Sequence, residues 1–97
     1  MSALHPHPSV IDKAFVSGLK FPQSDVLTSQ ELRNKRRADA ERAMLLGNNY
    51  KCKVKIVFED NSGIKEIETT IWSVTEKYIL LKTSMQIPLH RVLEVKF

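Results

Sequence analysis

Along residues 50–59 apolar and polar side chains alternate. Tyr50, Cys52, Val54, Ile56 and Phe58 fall on one set of positions, and Lys51, Lys53, Lys55, Val57 and Glu59 on the other. This two-residue period is that of a strand with one face buried and the other mostly solvated. The pattern stops at Asp60-Asn61-Ser62-Gly63. Short polar side chains there bond their own backbone and a glycine takes positive φ, so the chain is expected to reverse into a hairpin. Residues 64–74 are rich in β-branched side chains, residues 77–83 carry Tyr78-Ile79-Leu80-Leu81, and residues 92–97 alternate again. Val54, Ile56, Ile71, Leu80 and Val95 are the expected core of this β unit. Proline cannot donate to a ladder, so Pro88 is expected to end a short strand around Gln86-Ile87, just before a turn.

Upstream the period changes. Thr28-Ser29-Gln30-Glu31 has the form of a capping box, with Thr28 and Glu31 satisfying amides at a helix start. Residues 32–46 are strong helix formers and end at Gly47-Asn48-Asn49, residues that tolerate a left-handed helix terminus. The apolar stripe of this helix, Leu32, Ala40, Ala43, Met44 and Leu46, is loose and has Arg36 inside it, which implies shallow packing. Residues 1–27 read as an extension. His5-Pro6-His7-Pro8 forbids a regular helix and reads as a frayed terminus. Ser9 is a candidate cap for a short helix over residues 10–17 ending at Gly18, with Val10, Ile11, Ala14 and Phe15 on one side. That patch either covers an open end of the β unit or receives a partner.

At 97 residues the chain is one small domain, with residues 28–97 holding the helix and the β unit. No apolar run approaches the roughly 20 residues that span a bilayer, so no membrane role is expected. The start Met1-Ser2-Ala3-Leu4-His5-Pro6 lacks the form of a secretory signal and Cys52 is the single cysteine, which together fit a cytoplasmic setting. The net charge of +4 suits an anionic partner. No catalytic constellation appears. Cys52 is expected on an inward strand face as an inert thiol, and His90 has no carboxylate beside it. The three glycines never cluster into a phosphate loop, and His5 and His7 lack further ligands, so no cofactor and no metal are expected. Two features point to nucleic acid. Lys35-Arg36-Arg37, with Arg33 and Arg42, gives the helix a basic run that either lies along phosphates or is a solvated face with intrahelical ion pairs. Trp72 and Tyr78 are either core residues or platforms for unpaired bases, with the core favoured for Trp72.

Ser62-Gly63-Ile64-Lys65, Ile71-Trp72-Ser73, Ile79-Leu80-Leu81-Lys82 and Ile87-Pro88-Leu89-His90-Arg91-Val92 resemble segments of the Sm-like family, including its bacterial RNA chaperones of Hfq type. The likeness covers roughly residues 30–97. It implies a mainly β fold with an N-terminal helix followed by a small, strongly bent, antiparallel five-stranded barrel. It also implies binding of single-stranded RNA without catalysis, and self-association through edge strands, here residues 92–97. Departures exist: Thr69 stands where the family has a glycine that permits bending, Lys77 where it has a base-stacking aromatic, and Leu89 where it has a lysine. Of the pocket residues only His90 carries over directly, with Lys77 and Arg91 as phosphate contacts. The expected RNA-binding set is therefore Lys77, His90 and Arg91 on one rim, extended by Lys35, Arg36 and Arg37. The alternative is a protein-interaction module or subunit that uses its β edges and the amphipathic N-terminal segment.

Overall fold

A computed structural model describes residues 8–82 and 85–97. Among the described residues seven strands, β1 (Ser9–Val10), β2 (Val54–Asp60), β3 (Gly63–Thr69), β4 (Ile71–Val74), β5 (Tyr78–Leu81), β6 (Gln86–Pro88) and β7 (Val92–Lys96), and one α-helix, α1 (Gln30–Tyr50), form two sheets with a helix packed on them. One sheet has the order β1-β3-β2-β7, the other β4-β5-β6. 3-10 segments occupy Lys13–Gly18, two turns, and Leu89–Arg91, one turn.

The hairpin forms where the alternation and turn residues put it, with Val54, Ile56 and Phe58 buried as expected, though Val57, on the other set of positions, is buried too. β2 and β3 pair antiparallel in register from Val54↔Thr69 to Asp60↔Gly63. The Asp60 carboxylate accepts hydrogen bonds from the Ser62 amide at 2.8 Å and from the Lys65 ammonium at 3.2 Å, and Gly63 has φ +142°, a conformation that strains any side chain. Ile56, Phe58, Ile67, Ile71, Ile79, Leu81, Ile87, Val92 and Val95 make one core between the sheets. Val54, Ile56, Ile71 and Val95 are buried as expected, but Leu80 is only half-buried while its neighbours Ile79 and Leu81 point inward. Pro88 ends β6, opposite Tyr78, directly before the 3-10 turn.

The five-stranded barrel with an N-terminal helix is not what the chain builds. It is a mixed α/β domain of two separate sheets, of four and three strands, with α1 in the middle of the chain. The physical reason lies at two breaks and one addition. Thr70 interrupts the strand that would otherwise run from β3 into β4, and the ladder slips again between Ile71 and Ser73. The 3-10 turn at Leu89–Arg91 separates β6 from β7. The N-terminal segment then adds β1, parallel to β3, so the sheet edge is extended rather than closed on itself.

That segment is not the expected short helix. Its 3-10 turn contacts β3 and β6, so it caps the opening between the sheets, with Val16 in the core and Ile11 packed against it. Val10 and Phe15 stay exposed. Residues 1–7, with His5 and His7, lie outside the described residues.

Helix α1 differs at both ends from its sequence signals. Ser29, not Thr28, is the N-cap, its Oγ accepting from the Leu32 amide. The helix runs past Gly47 to Tyr50, because Lys51 supplies the left-handed cap at φ 57°. Tyr50 and Cys52 are thus outside the strand and exposed. Gly47 serves contact instead of termination. A Cβ there would stand 2.7 Å from both the Ile71 carbonyl oxygen and Thr70 Cγ2. With Arg36, Ala40 and Ala43 it forms the buried face, whose small side chains let α1 lie close on β4 and β7.

Candidate nucleic-acid interface

Residues 22–27 join the N-terminal segment to α1, and polar contacts pin them down. Asp25 is the centre. Its two carboxylate oxygens accept from the two terminal nitrogens of Arg36, each at 2.9 Å, and the Leu27 amide donates to it at 2.8 Å. Arg33 adds its charge at 3.4 Å and donates to the Leu27 carbonyl at 2.8 Å. Burial pushes the Asp25 carboxyl up, but the hydrogen bonds from Arg36 and the Leu27 amide, with the charges of Arg36 and Arg33, outweigh it and hold the group below its ordinary value. From the opposite side His90 Nε2 donates to the Pro22 carbonyl at 2.9 Å, while the Val26 amide donates to the His90 carbonyl. Arg91 donates to the carbonyls of Glu59 at 3.0 Å and Ser24 at 2.7 Å.

The six residues expected to contact RNA therefore sit in different situations. Arg36 and Arg91 are 7% and 6% exposed and spend their donors inside the fold, Arg36 also reaching the Val92 carbonyl. His90 is half-buried against residues 22–26. Arg37 is partly exposed, bonding the carbonyls of Thr75 and Glu76 at 3.1 and 2.8 Å and pairing with Glu41. Lys35 points into solvent with Asp39 one helical turn away at 2.7 Å, a pair that raises its pKa. Lys77 is exposed, and its ammonium has no partner among the described residues.

Arg36, Arg37, Lys77 and His90 line a single open cleft of about 460 Å³ between α1, the β4–β5 turn and the 3-10 turn before β7, whereas Lys35 and Arg91 do not. The cleft also holds Arg33, Gln30 and Asn34 from the helix and Tyr78, 41% exposed, from β5. Arg33 and Tyr78 were not in the expected set. For Arg33 the signal lies in helical spacing: Gln30, Arg33, Asn34 and Arg37 recur at three- and four-residue intervals and so share one face, which a reading by consecutive run (Lys35-Arg36-Arg37) overlooks, whereas Tyr78 is the aromatic already named as a candidate stacking platform. Asp25 and Glu76 are the acidic members of the lining.

Trp72, expected in the core, is 47% exposed. Among the described residues no group of three or more His, Cys, Asp and Glu side chains converges as a metal site would require, and no helix is long and apolar enough to cross a membrane. Comparison with known proteins finds no family model, no curated relative and no solved structure that matches the chain. The Sm-like resemblance thus rests on the quoted segments alone, and the barrel it implied is not the fold observed.

Proposed function

We propose that this chain is a non-enzymatic module that binds single-stranded RNA in the cleft between α1 and the β4–β5 turn. The observation that carries the reading is the convergence of Arg33, Arg37 and Lys77 with the half-exposed ring of Tyr78 on one open cleft. Cations neutralise phosphates and release counterions, while an exposed ring offers a stacking face that any unpaired base accepts. The volume is within the range that accommodates a small ligand or a single nucleotide unit. Gln30 and Asn34 place amide donors and acceptors beside it, suited to base edges.

In this reading Lys77, Arg37 and Arg33 meet the RNA. His90 borders the site through its remaining ring edge. Arg36 and Arg91 are positioning residues, holding residues 22–27 as one wall of the cleft, and Lys35 contributes only to the surrounding potential. A second reading, a protein-interaction module, is favoured by the exposure of Val10 and Phe15 beside the β1 edge.

The test is fluorescence polarisation of a labelled single-stranded RNA at several salt concentrations, comparing wild type with Arg37→Gln and Lys77→Gln. Wild-type affinity should fall with salt by a log–log slope of roughly −0.7 per phosphate neutralised, and each variant should make the slope shallower by about that amount. Absence of binding at low salt, or binding that neither variant alters, would overturn this reading in favour of the protein-interaction one.

A further inference from the structure

A second aromatic stands on the same sheet as Tyr78. Because Ile79 and Leu81 are buried, Tyr78 and Leu80 project to the outer side of β5, and Lys82, exposed, follows directly after the strand. Trp72 lies on the neighbouring strand, next to buried Ile71, where the β4–β5 ladder slips, and nearly half its surface is open. A tryptophan buries more apolar area than any other side chain when it can, so its exposure beside a well-filled core is notable. It borders a depression of about 220 Å³ that it shares with Lys82, Thr70 and the end of α1, namely Gly47, Asn48 and Lys51.

The charges there differ from the arginines of the cleft and match its Lys77. Arg33, Arg36 and Arg37 already hold carboxylates or carbonyls. Lys51 and Lys82 are exposed and have neither hydrogen-bond nor ion-pair partners for their ammonium groups among the described residues. Two solvent-exposed ammonium groups, without protein partners among the described residues, thus line the same depression as one open indole. The close approach of Gly47 to Thr70 and Ile71 brings the helix end onto β4, and the left-handed turn at Lys51 lets the chain leave beside the indole. The C-terminus of a helix carries a partial negative charge, about half an elementary charge, which opposes an anion. Two whole positive charges exceed it, so the depression favours an anionic ligand with a flat face.

We infer that Trp72, Lys51 and Lys82 form a second nucleotide subsite, in which a base of a single-stranded RNA stacks on the indole and the flanking phosphates meet the two ammonium groups. The inference rests on the RNA-binding reading of the cleft and extends it. Lys82, the residue after β5, is four positions on from Tyr78 at the strand's start, about 13 Å at the rise of a strand. One strand of RNA leaving the cleft at Lys77 and Tyr78 crosses the outer face of β5 and arrives at Trp72. Asn48, at the rim, offers an amide to a base edge.

The experiment uses the full chain and a short fluorescein-labelled single-stranded RNA for polarisation, with the unlabelled RNA for a parallel titration of intrinsic fluorescence. Trp72 is the only tryptophan, so its emission reports on this subsite alone. Saturable quenching that follows the polarisation curve is expected. Trp72→Leu should weaken binding about 5- to 150-fold, the range of one lost stacking contact. Lys51→Gln with Lys82→Gln should weaken it about tenfold and make the salt slope shallower by about 1.4. All three side chains are exposed, and thermal melts should show each variant folded. RNA bound by polarisation with Trp72 emission unchanged overturns the subsite and leaves the cleft standing. Quenching that survives in Arg37→Gln and Lys77→Gln with affinity unaltered overturns the cleft and leaves the subsite. No binding in either assay overturns both.

Discussion

Asp25→Ala probes what the buried cations do. In the native fold Arg36 is 6% exposed at its side chain and Asp25 19%, joined by two parallel hydrogen bonds of 2.9 Å. Removing the carboxylate leaves a guanidinium with the Val92 carbonyl as its remaining acceptor and an Nε that already has none. Breaking a buried pair in this way costs about 3–5 kcal/mol, because the abandoned charge stays in a poor dielectric. Asp25 retains some water contact, so the lower end, about 3 kcal/mol, is the expected loss. For a domain of this size that lowers the melting temperature by about 12–24 °C. Urea denaturation monitored by Trp72 emission and far-ultraviolet dichroism gives the free energy directly. Asp25→Ala combined with Arg36→Met should recover at least half of the loss, since an apolar side chain of similar length leaves no orphaned charge. A single-variant loss under about 1 kcal/mol, or a double variant worse than the single, would show that Arg36 is not held as described and would return it to the RNA-binding set.

Three further outcomes are expected. Gly47→Ala should destabilise by up to about 2 kcal/mol net in a thermal melt, because the roughly 1 kcal/mol gained in helix propensity offsets only part of the about 1–3 kcal/mol cost of a methyl 2.7 Å from the Ile71 carbonyl; a stabilised variant would contradict the close helix–strand contact. Asp25 and Asp60 both have folded pKa values held below the ordinary one, Asp60 against burial by the Ser62 amide and Lys65, so their contribution is complete above pH ~4 and lost as pH falls through the folded values. Acid titration of stability should therefore show a steep limb below pH ~4 that is shallower in Asp25→Ala, and an unchanged limb would refute the assignment. β7 ends its sheet with β2 as its one strand neighbour, so light scattering at micromolar concentration should give a mass above one chain, whereas a monomer would exclude pairing through this edge.

The hairpin was legible because its alternation is regular and its turn residues are specific: Val54, Ile56 and Phe58 face the core and Gly63 takes the positive φ that the turn demands. Pro88 was legible for the same reason, a missing donor that only a strand end tolerates. Tyr78-Ile79-Leu80-Leu81 offers no polar position to set its register, and the inward face was misassigned by one residue. Gly47 has two physical uses, helix stop and close approach, and only the neighbouring strand decides between them. β1 is two residues of backbone pairing, too short for any periodicity. The site was legible as composition but not as geometry. Arg36 and Arg91 look like solvent cations until Asp25 and Ser24, distant in sequence, are brought beside them. Trp72 has the size of a core residue, but it follows inward-facing Ile71 on β4, and strand alternation turns it outward.

The most direct test of the central claim is an amide chemical-shift map of the protein titrated with a short single-stranded RNA. The account predicts that shifts cluster at Gln30, Arg33, Asn34, Arg37, Lys77 and Tyr78, saturate with the RNA, and diminish as salt is raised. Shifts centred on Val10 and Phe15, scattered without saturation, or absent at low salt would contradict it.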